Sequence, residues 1–330
     1  MASLREIKDH IGSVRSTLKI TSAMKLVASA KLRKAQQAAE GIRPYTEALA
    51  SMLMNVMGTE GASGEDSPSA HYVIPSEAKE SVAIVAVASN SSLCGAFNIN
   101  VIHKVQEVIA ECRKERSDVE VISIGRKVAD SMRKAGYPSP ADYSDLVGHN
   151  TFDKSAAFAQ TLIDAYNSGR YSRILFIYNH FASTSSQKVV VETYLPFDSV
   201  SSGVGIPSET HATLGTVRGG TVSFANGGVE RSETVSEGIP ATGRDVEMEY
   251  LLEPSREEIL ATLLPQVMRL RVHTVLLDSI AAEHAARTIA MQTASDNAED
   301  LLAELTLEYN KGRQQKITSE ILDLVGGSQQ

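Results

Sequence analysis

LREIKDHIGSVRSTLKITSAMKLVASAKLRKAQ, residues 4–36, is the stretch that decides the fold. Positions Leu4, Ile7, Ile11, Val14, Leu18, Thr21, Lys25, Ala28, Leu32 and Ala35 recur at alternating spacings of three and four. That is the heptad seam of a coiled coil. It continues through Ala39 and Ile42 and, past Gly41 and Pro44, through Leu49, Leu53 and Val56. At 1.5 Å per residue a helix of about 55 residues is roughly 80 Å long. That exceeds the diameter of a small domain, so much of it must project. Thr21, Lys25 and Ala28 are small or polar, so a partner helix can come close there.

A second seam closes the chain. Pro254 precedes Ser255, and Ser255 with Glu258 forms a capping box. Leu260, Leu263, Val267, Leu270, Thr274, Leu277 and Ala281 then keep the same spacing. Thr288, Met291, Ser295, Ala298, Leu302, Leu305 and Tyr309 continue it, and Ile317, Ile321 and Leu324 complete it. Gly326 and Gly327 supply the stop. About 70 residues make a rod of roughly 105 Å. Neither helix can bury its stripe alone, so the simplest arrangement pairs them antiparallel. The near-3.5 period implies a left-handed supercoil.

Between the rods the period changes. Residues 58–79 mix Gly, Ser, Pro and charge without periodicity and read as a linker. Val82–Ala88, Val119–Ile124 and Ile174–Tyr178 read as strands, and Lys188–Leu195 alternates like an edge strand. Ile99–Arg116, Lys127–Ala135 and Phe152–Asn167 read as helices between them. Strands separated by helices argue an open α/β layer with crossovers. In 199–245, 22 of 47 residues are Gly, Ser or Thr, which sets this segment apart as an insertion. It is either flexible or a pair of short polar strands near Thr221–Ala225 and Val229–Val235. The expected class is α/β: a long antiparallel two-helix coiled coil from the terminal helices plus a central Rossmann-like α/β domain. The divisions are 1–57, 58–79, 80–253 with the insertion 199–245, and 254–330.

Composition narrows the function. The chain has 330 residues with a formal net charge of −8, which argues against bulk nucleic-acid binding. Residues 1–45 nonetheless hold nine basic and three acidic residues, a local balance of +6 that suits an acidic partner surface. No apolar run approaches the roughly 20 residues of a membrane span. No signal-peptide core is present, so the mature chain is expected to begin at or beside Met1. Cys94 and Cys112 give neither a disulfide framework nor zinc spacing, and Cys94 reads as a small buried thiol. Ser89–Asn98 sits where a phosphate loop would, but it has one Gly and no following Lys-Ser/Thr. Glu283 and His284 are adjacent, cannot share a helix face as metal ligands do, and read as a solvated pair. No catalytic constellation, cofactor or metal is expected.

The text at both ends resembles the gamma subunit family of F-type ATP synthases. Residues 4–36, EYLLEPSREEILATLLP (249–265), AEHAARTIAMQTASDNAEDLL (282–302) and LTLEYNKGRQQKITSEILDLVGG (305–327) carry the resemblance. It implies a non-catalytic central rotor shaft of a proton-translocating synthase. The shaft couples rotation of the membrane ring to conformational cycling of the beta-subunit sites. Implied partners are the alpha and beta subunits, epsilon and the c-ring. The implied place is peripheral, on the cytoplasmic side of the inner membrane. By resemblance Arg287, Gln314 and Thr318 contact an acidic beta loop, with Met24 and Lys25 near it, while Tyr250 and Glu253 face the c-ring. Arg287 has a plainer reading, an i,i+4 pair with Glu283. The family's Asp-Arg-Gly-Leu-Cys-Gly-Gly stretch is replaced by Asn90, Ser91, Ser92, Leu93, Cys94, Gly95 and Ala96, so its charge pair is absent. The insertion exceeds the usual bacterial length, and both cysteines lie outside it, which does not support plastid-style thiol switching. Two other readings compete: a coiled-coil scaffold with an α/β head and no rotary role, and an α/β enzyme binding a nucleotide at Asn90–Gly95.

Overall fold

In a computed structural model, residues 3–58, 81–148, 150–196, 253 and 255–327 are described. The segment 59–80, the insertion 199–245 and Tyr250 lie outside them. Helix α1 runs Leu4–Gly58 without a break at Gly41 or Pro44, and the last helix, α6, runs Arg256–Gly327. Ser255 starts α6 by accepting the Glu258 amide at 3.3 Å. Ser3 does the same for α1. Its hydroxyl accepts from the Glu6 amide at 3.3 Å while the Glu6 carboxylate takes the Ser3 amide at 2.8 Å, a complete capping box.

The two helices lie antiparallel along the seam. Leu4 meets Gly312 near one end, where a Cβ on the glycine would sit 3.0 Å from the leucine Cδ2. Thr21 bonds Ser295 across the seam at 2.8 Å. Leu32 and Ala35 pack with Ala281 and Ala285. Leu49, Leu53 and Val56 share a core with Leu260, Leu264 and Val267. Each step up α1 is a step down α6, which is what an antiparallel pair requires. Ile7, Thr21, Ala28, Leu32, Ala35, Leu49, Leu53 and Val56 are buried as the spacing demands.

One part of the seam differs. Ile317 and Ile321 are 46% and 55% exposed. The reason is length: α6 has 72 residues against 55 in α1, and α1 begins opposite Gly312. Past that point α6 has no described partner helix.

The head lies between the rods in sequence and against α6 in space. Its elements are β1 (Ser81–Val87), α2 (Phe97–Lys114), β2 (Asp118–Ile124), α3 (Arg126–Lys134), α4 (Asp145–Gly148), α5 (Phe152–Asn167), β3 (Arg173–Phe181) and β4 (Gln187–Leu195). The sheet order is β2-β1-β3-β4, with β1 parallel to β2 and β3, and β4 antiparallel on the edge. Val82, Ile84 and Ala86 pack with Val101 and Val105 of α2 and Val128 and Met132 of α3. Ala83, Val85 and Val87 pack instead with α5, α6 and the end of α1. Burial on both faces explains why β1 is apolar throughout rather than alternating. At the turn from β2 into α3, Gly125 has φ +104°, and a Cβ there would lie 2.1 Å from the Ala88 carbonyl oxygen, so only glycine fits.

Candidate functional site

Between Leu260 and Arg287, α6 is enclosed by α1 on one side and the head on the other, so it is buried nearly all round. A charged residue on such a stretch must be paired or it costs several kcal/mol. Here each one is paired, and the pairs reach into the head. Arg269 bonds Gln160 Oε1 on α5 through Nε at 3.1 Å and Nη2 at 2.6 Å. Arg271 bonds Glu192 on β4 at 2.7 Å, and Glu192 also accepts from the Tyr178 hydroxyl at 3.0 Å. Burial first, then Glu192, pushes the Tyr178 phenol well up, so it stays protonated and keeps donating.

Two residues on, His273 Nδ1 lies 2.9 Å from Ser155 Oγ. Ser155 spends its one proton on Asn150 Oδ1 at 2.6 Å, so the imidazole carries the hydrogen and donates. Burial pulls the His273 pKa down, keeping the ring neutral. Ser155 is fully buried, so this hydroxyl–imidazole pair joins helix to head and has no route to a substrate. Asp278 then accepts twice, from His180 Nδ1 at 2.6 Å and from the Phe181 amide at 3.0 Å. The series ends at Arg287, which donates to Glu283 at 2.6 Å, to Ser91 Oγ at 2.8 Å and to the Ser92 carbonyl at 3.4 Å. From Arg269 to Arg287 is about 27 Å of helix. Along that length the head is tied to α6 at five polar points over a continuous apolar contact.

The last tie seats α6 against the loop that follows β1. Ser91 takes the Arg287 guanidinium. Asn90 bridges the loop to the rest of the head, its Nδ2 donating to the Ser144 carbonyl at 2.8 Å and its Oδ1 accepting from the Arg126 amide at 3.1 Å. Beneath them Asn98 accepts the Ser89 amide at 3.0 Å and donates to Cys94 Sγ at 3.1 Å. Cys94 is buried, as expected. The loop is a socket for α6.

Of the other candidates, Met24 and Lys25 are half-buried, Lys25 at a seam position and Met24 next to it. Gln314 and Thr318 are exposed on the unpaired end of α6, one helical turn apart, with the Thr318 hydroxyl bonded to the Gln314 carbonyl at 2.9 Å. Glu253 is exposed, and Tyr250 lies outside the described residues. Arg287 is not on that outer surface: it is 9% exposed and held by its own chain. Glu283 corrects an expectation. It is 6% exposed and ion-paired, not solvated, because Arg287 and the head loop cover it. Among the described residues no cluster of His, Cys, Asp or Glu could hold a metal.

The ties were missed from sequence because each is a single polar residue within an apolar stripe. A signal was present in LLPQVMRLRVHTVLLDSIAA (263–282), which is too apolar for one seam yet contains Arg269, Arg271, His273 and Asp278. Charges on an all-round apolar helix imply partners on a second element.

Comparison with known proteins fits this arrangement. The ATP synthase family profile matches residues 3–329. The chain is 40% identical over 329 residues to the ATP synthase gamma chain of Phocaeicola vulgatus, covering 99% of each. The chain belongs to the ATP synthase gamma-chain family. It is also 37% identical over 336 residues to the Flavobacterium johnsoniae gamma chain, covering 100% of this chain and 99% of that one. The 199–245 segment therefore does not make this gamma-family chain longer than such relatives. The fold is similar to a chain in the rotor of the Euglena gracilis mitochondrial ATP synthase, with a TM-score of 0.56 at 19% identity, covering 95% and 98% of the two chains. The gamma chain is a non-catalytic subunit, which removes the nucleotide-enzyme reading. Full-length membership likewise removes the free-standing scaffold.

Proposed function

We infer that this gamma-family chain is the central shaft of an F-type ATP synthase, turning with the membrane ring and driving the beta-subunit sites through their cycle. The observation that carries the reading is the antiparallel axle with a head fixed to it by polar ties at Arg269, Arg271, His273, Asp278 and Arg287. Torque applied at the head reaches the axle without slip, because turning one against the other would break buried pairs. The shaft is asymmetric, so at any angle the three beta sites meet different surfaces. Ligand affinity and shaft angle are then coupled reciprocally.

Supporting this, the axle is narrow where α1 and α6 meet through Ala28, Ala35, Ala281 and Ala285. The exposed end of α6 offers Gln314 and Thr318 to a surrounding sleeve. We assign these two residues, with Met24, Lys25 and Arg287, to contact with an acidic beta loop. Arg287 then serves two purposes, since Glu283 and Ser91 already hold it. Tyr250 and Glu253 are assigned to the c-ring side. The working segments are the helix 1–57, the linker 58–79, the head 80–253 and the helix 254–330. Alpha and beta subunits, epsilon and the c-ring are the partners, and the complex sits peripherally on the cytoplasmic side of the inner membrane. No helix among the described residues is long and apolar enough to cross a membrane.

The test is co-expression with alpha and beta subunits. The chain should co-purify within a hexameric ATPase, and crosslinks from cysteines placed at Gln314 should map to beta. A chain that elutes alone while the ring assembles normally would overturn the shaft reading.

A further inference from the structure

A cleft of about 400 Å³ opens at the junction of axle and head. Lys31 and Lys34 of α1, His284 and Arg287 of α6, Ser91 after β1 and Asn150 before α5 are on its walls. The strand order reverses between β1 and β3, and in open α/β sheets ligands bind in the crevice outside the strand ends at that point. The volume falls in the range of small-ligand sites.

Its charge selects the ligand. The walls carry three fixed cations, and their one carboxylate, Glu283, is already bound to Arg287 at 2.6 Å. Lys31 and Lys34 lie one turn apart on the same helix and have no carboxylate partner among the described residues. Like charges so placed repel each other. The positive field registers at His284, whose pKa falls to about 4 through burial, then Arg287 and Lys31. At neutral pH that ring is uncharged, and its Nδ1 is buried with no hydrogen-bond partner among the described residues. Asn150 Nδ2 is in the same condition. Ser91 Oγ accepts from Arg287 and so can turn its own proton outward. Two lysines and the Ser91 hydroxyl line the cleft, and among the described residues its one carboxylate is already paired.

We propose that this cleft binds a small oxyanion of the phosphate class, held by Lys31 and Lys34 with a donor from the Ser91 hydroxyl. Lys31 and Lys34 supply the charge, and the Ser91 hydroxyl, held in place by Arg287, sets the orientation. The site is open to solvent on the lysine side, so half-saturation is expected at millimolar phosphate.

The test is calorimetric titration of the full chain with inorganic phosphate at fixed ionic strength. It runs without alpha or beta subunits, so its failure leaves the shaft reading untouched. Saturable binding that weakens at least tenfold in K31Q/K34Q supports the proposal, provided the variant melts as the parent does in chloride. An upward shift of the His284 titration on adding phosphate, read by NMR, supports it independently. Parallel titration with ADP separates sources: tighter binding of ADP that displaces phosphate assigns the site to a nucleotide's phosphoryl end, and phosphate binding alone assigns it to the free ion. Equal binding of acetate would overturn the proposal in favour of carboxylate side chains. So would non-saturable heat, or an unchanged affinity in the lysine variant.

Discussion

Arg287→Ala tests the tie between axle and head most directly. The substitution leaves Glu283, 6% exposed, without its guanidinium, and takes a donor from Ser91 Oγ and from the Ser92 carbonyl. Breaking a buried ion pair from one side costs about 3–5 kcal/mol. Glu283 also lines the junction cleft, where water can reach it once the guanidinium is gone, so the expected loss is about 3 kcal/mol. Ser91→Ala removes one charge-assisted bond and should cost about 1–2 kcal/mol. The two residues touch, so their double variant should show a coupling of roughly 1 kcal/mol. The chain has no Trp, so urea unfolding is best followed by far-UV circular dichroism. With a slope of about 1–3 kcal/mol per molar urea, Arg287→Ala should lower the midpoint by about 1–3 M. A loss under about 1 kcal/mol, or strict additivity with Ser91→Ala, would refute the tie. The assembled complex separates the two purposes of Arg287. If Arg287 serves only beta, Glu283→Gln leaves ATP turnover unchanged; if the internal tie also matters, turnover falls with stability.

Asp278→Ala should cost about 2–4 kcal/mol by stranding His180 Nδ1 and the Phe181 amide, and amide exchange at Phe181 should accelerate; unchanged exchange would show that this tie is not what protects it. Ala285→Leu overfills the narrow part of the axle beside Leu32 and Ala35 and should cost about 1–3 kcal/mol in thermal unfolding, whereas a neutral outcome would mean the helices separate freely there. His284 is held neutral, its folded pKa of about 4 lying below the unfolded 6.5. Its contribution is therefore complete above pH 6.5 and lost as pH falls toward 4, roughly 1–2 kcal/mol after discounting for partial exposure, and His284→Gln should flatten that part of the stability–pH curve. Gln314→Ala and Thr318→Ala, on the exposed end of α6, should leave stability within about 0.5 kcal/mol while lowering turnover of the complex, and unchanged turnover would remove both from the beta contact.

Periodicity carried the axle far. A seam read from Leu4 to Val56 needs only the rule that apolar residues three and four apart share a helix face, and those positions are the ones found buried or half-buried. Helix α5 was legible to the residue, Phe152–Asn167, because Thr151 precedes its apolar stripe and a Ser-Gly pair follows. The short helix Asp145–Gly148 was not, since one turn holds no period to detect. The failure at Ile317 and Ile321 has another cause. Their spacing continues the seam, but exposure depends on where the opposite helix begins, which is set by the pairing of distant residues. The ties from Arg269 to Arg287 were illegible for a related reason. Sequence can show that a charge on an apolar helix needs a partner, but whether it is four residues away, as Glu283 is, or nearly two hundred, as Ser91 is, depends on the fold.

The stretch of α6 beyond Gly312 has a mechanical consequence. Resistance to bending rises steeply with cross-section, so a rod that thins from two strands to one becomes compliant where it thins. Among the described residues, the far end of this shaft is the part with the smallest cross-section, and so the one that bends most readily. A bearing that yields slightly tolerates three unequal walls without jamming, and it can hold part of each step as elastic strain before releasing it to the next.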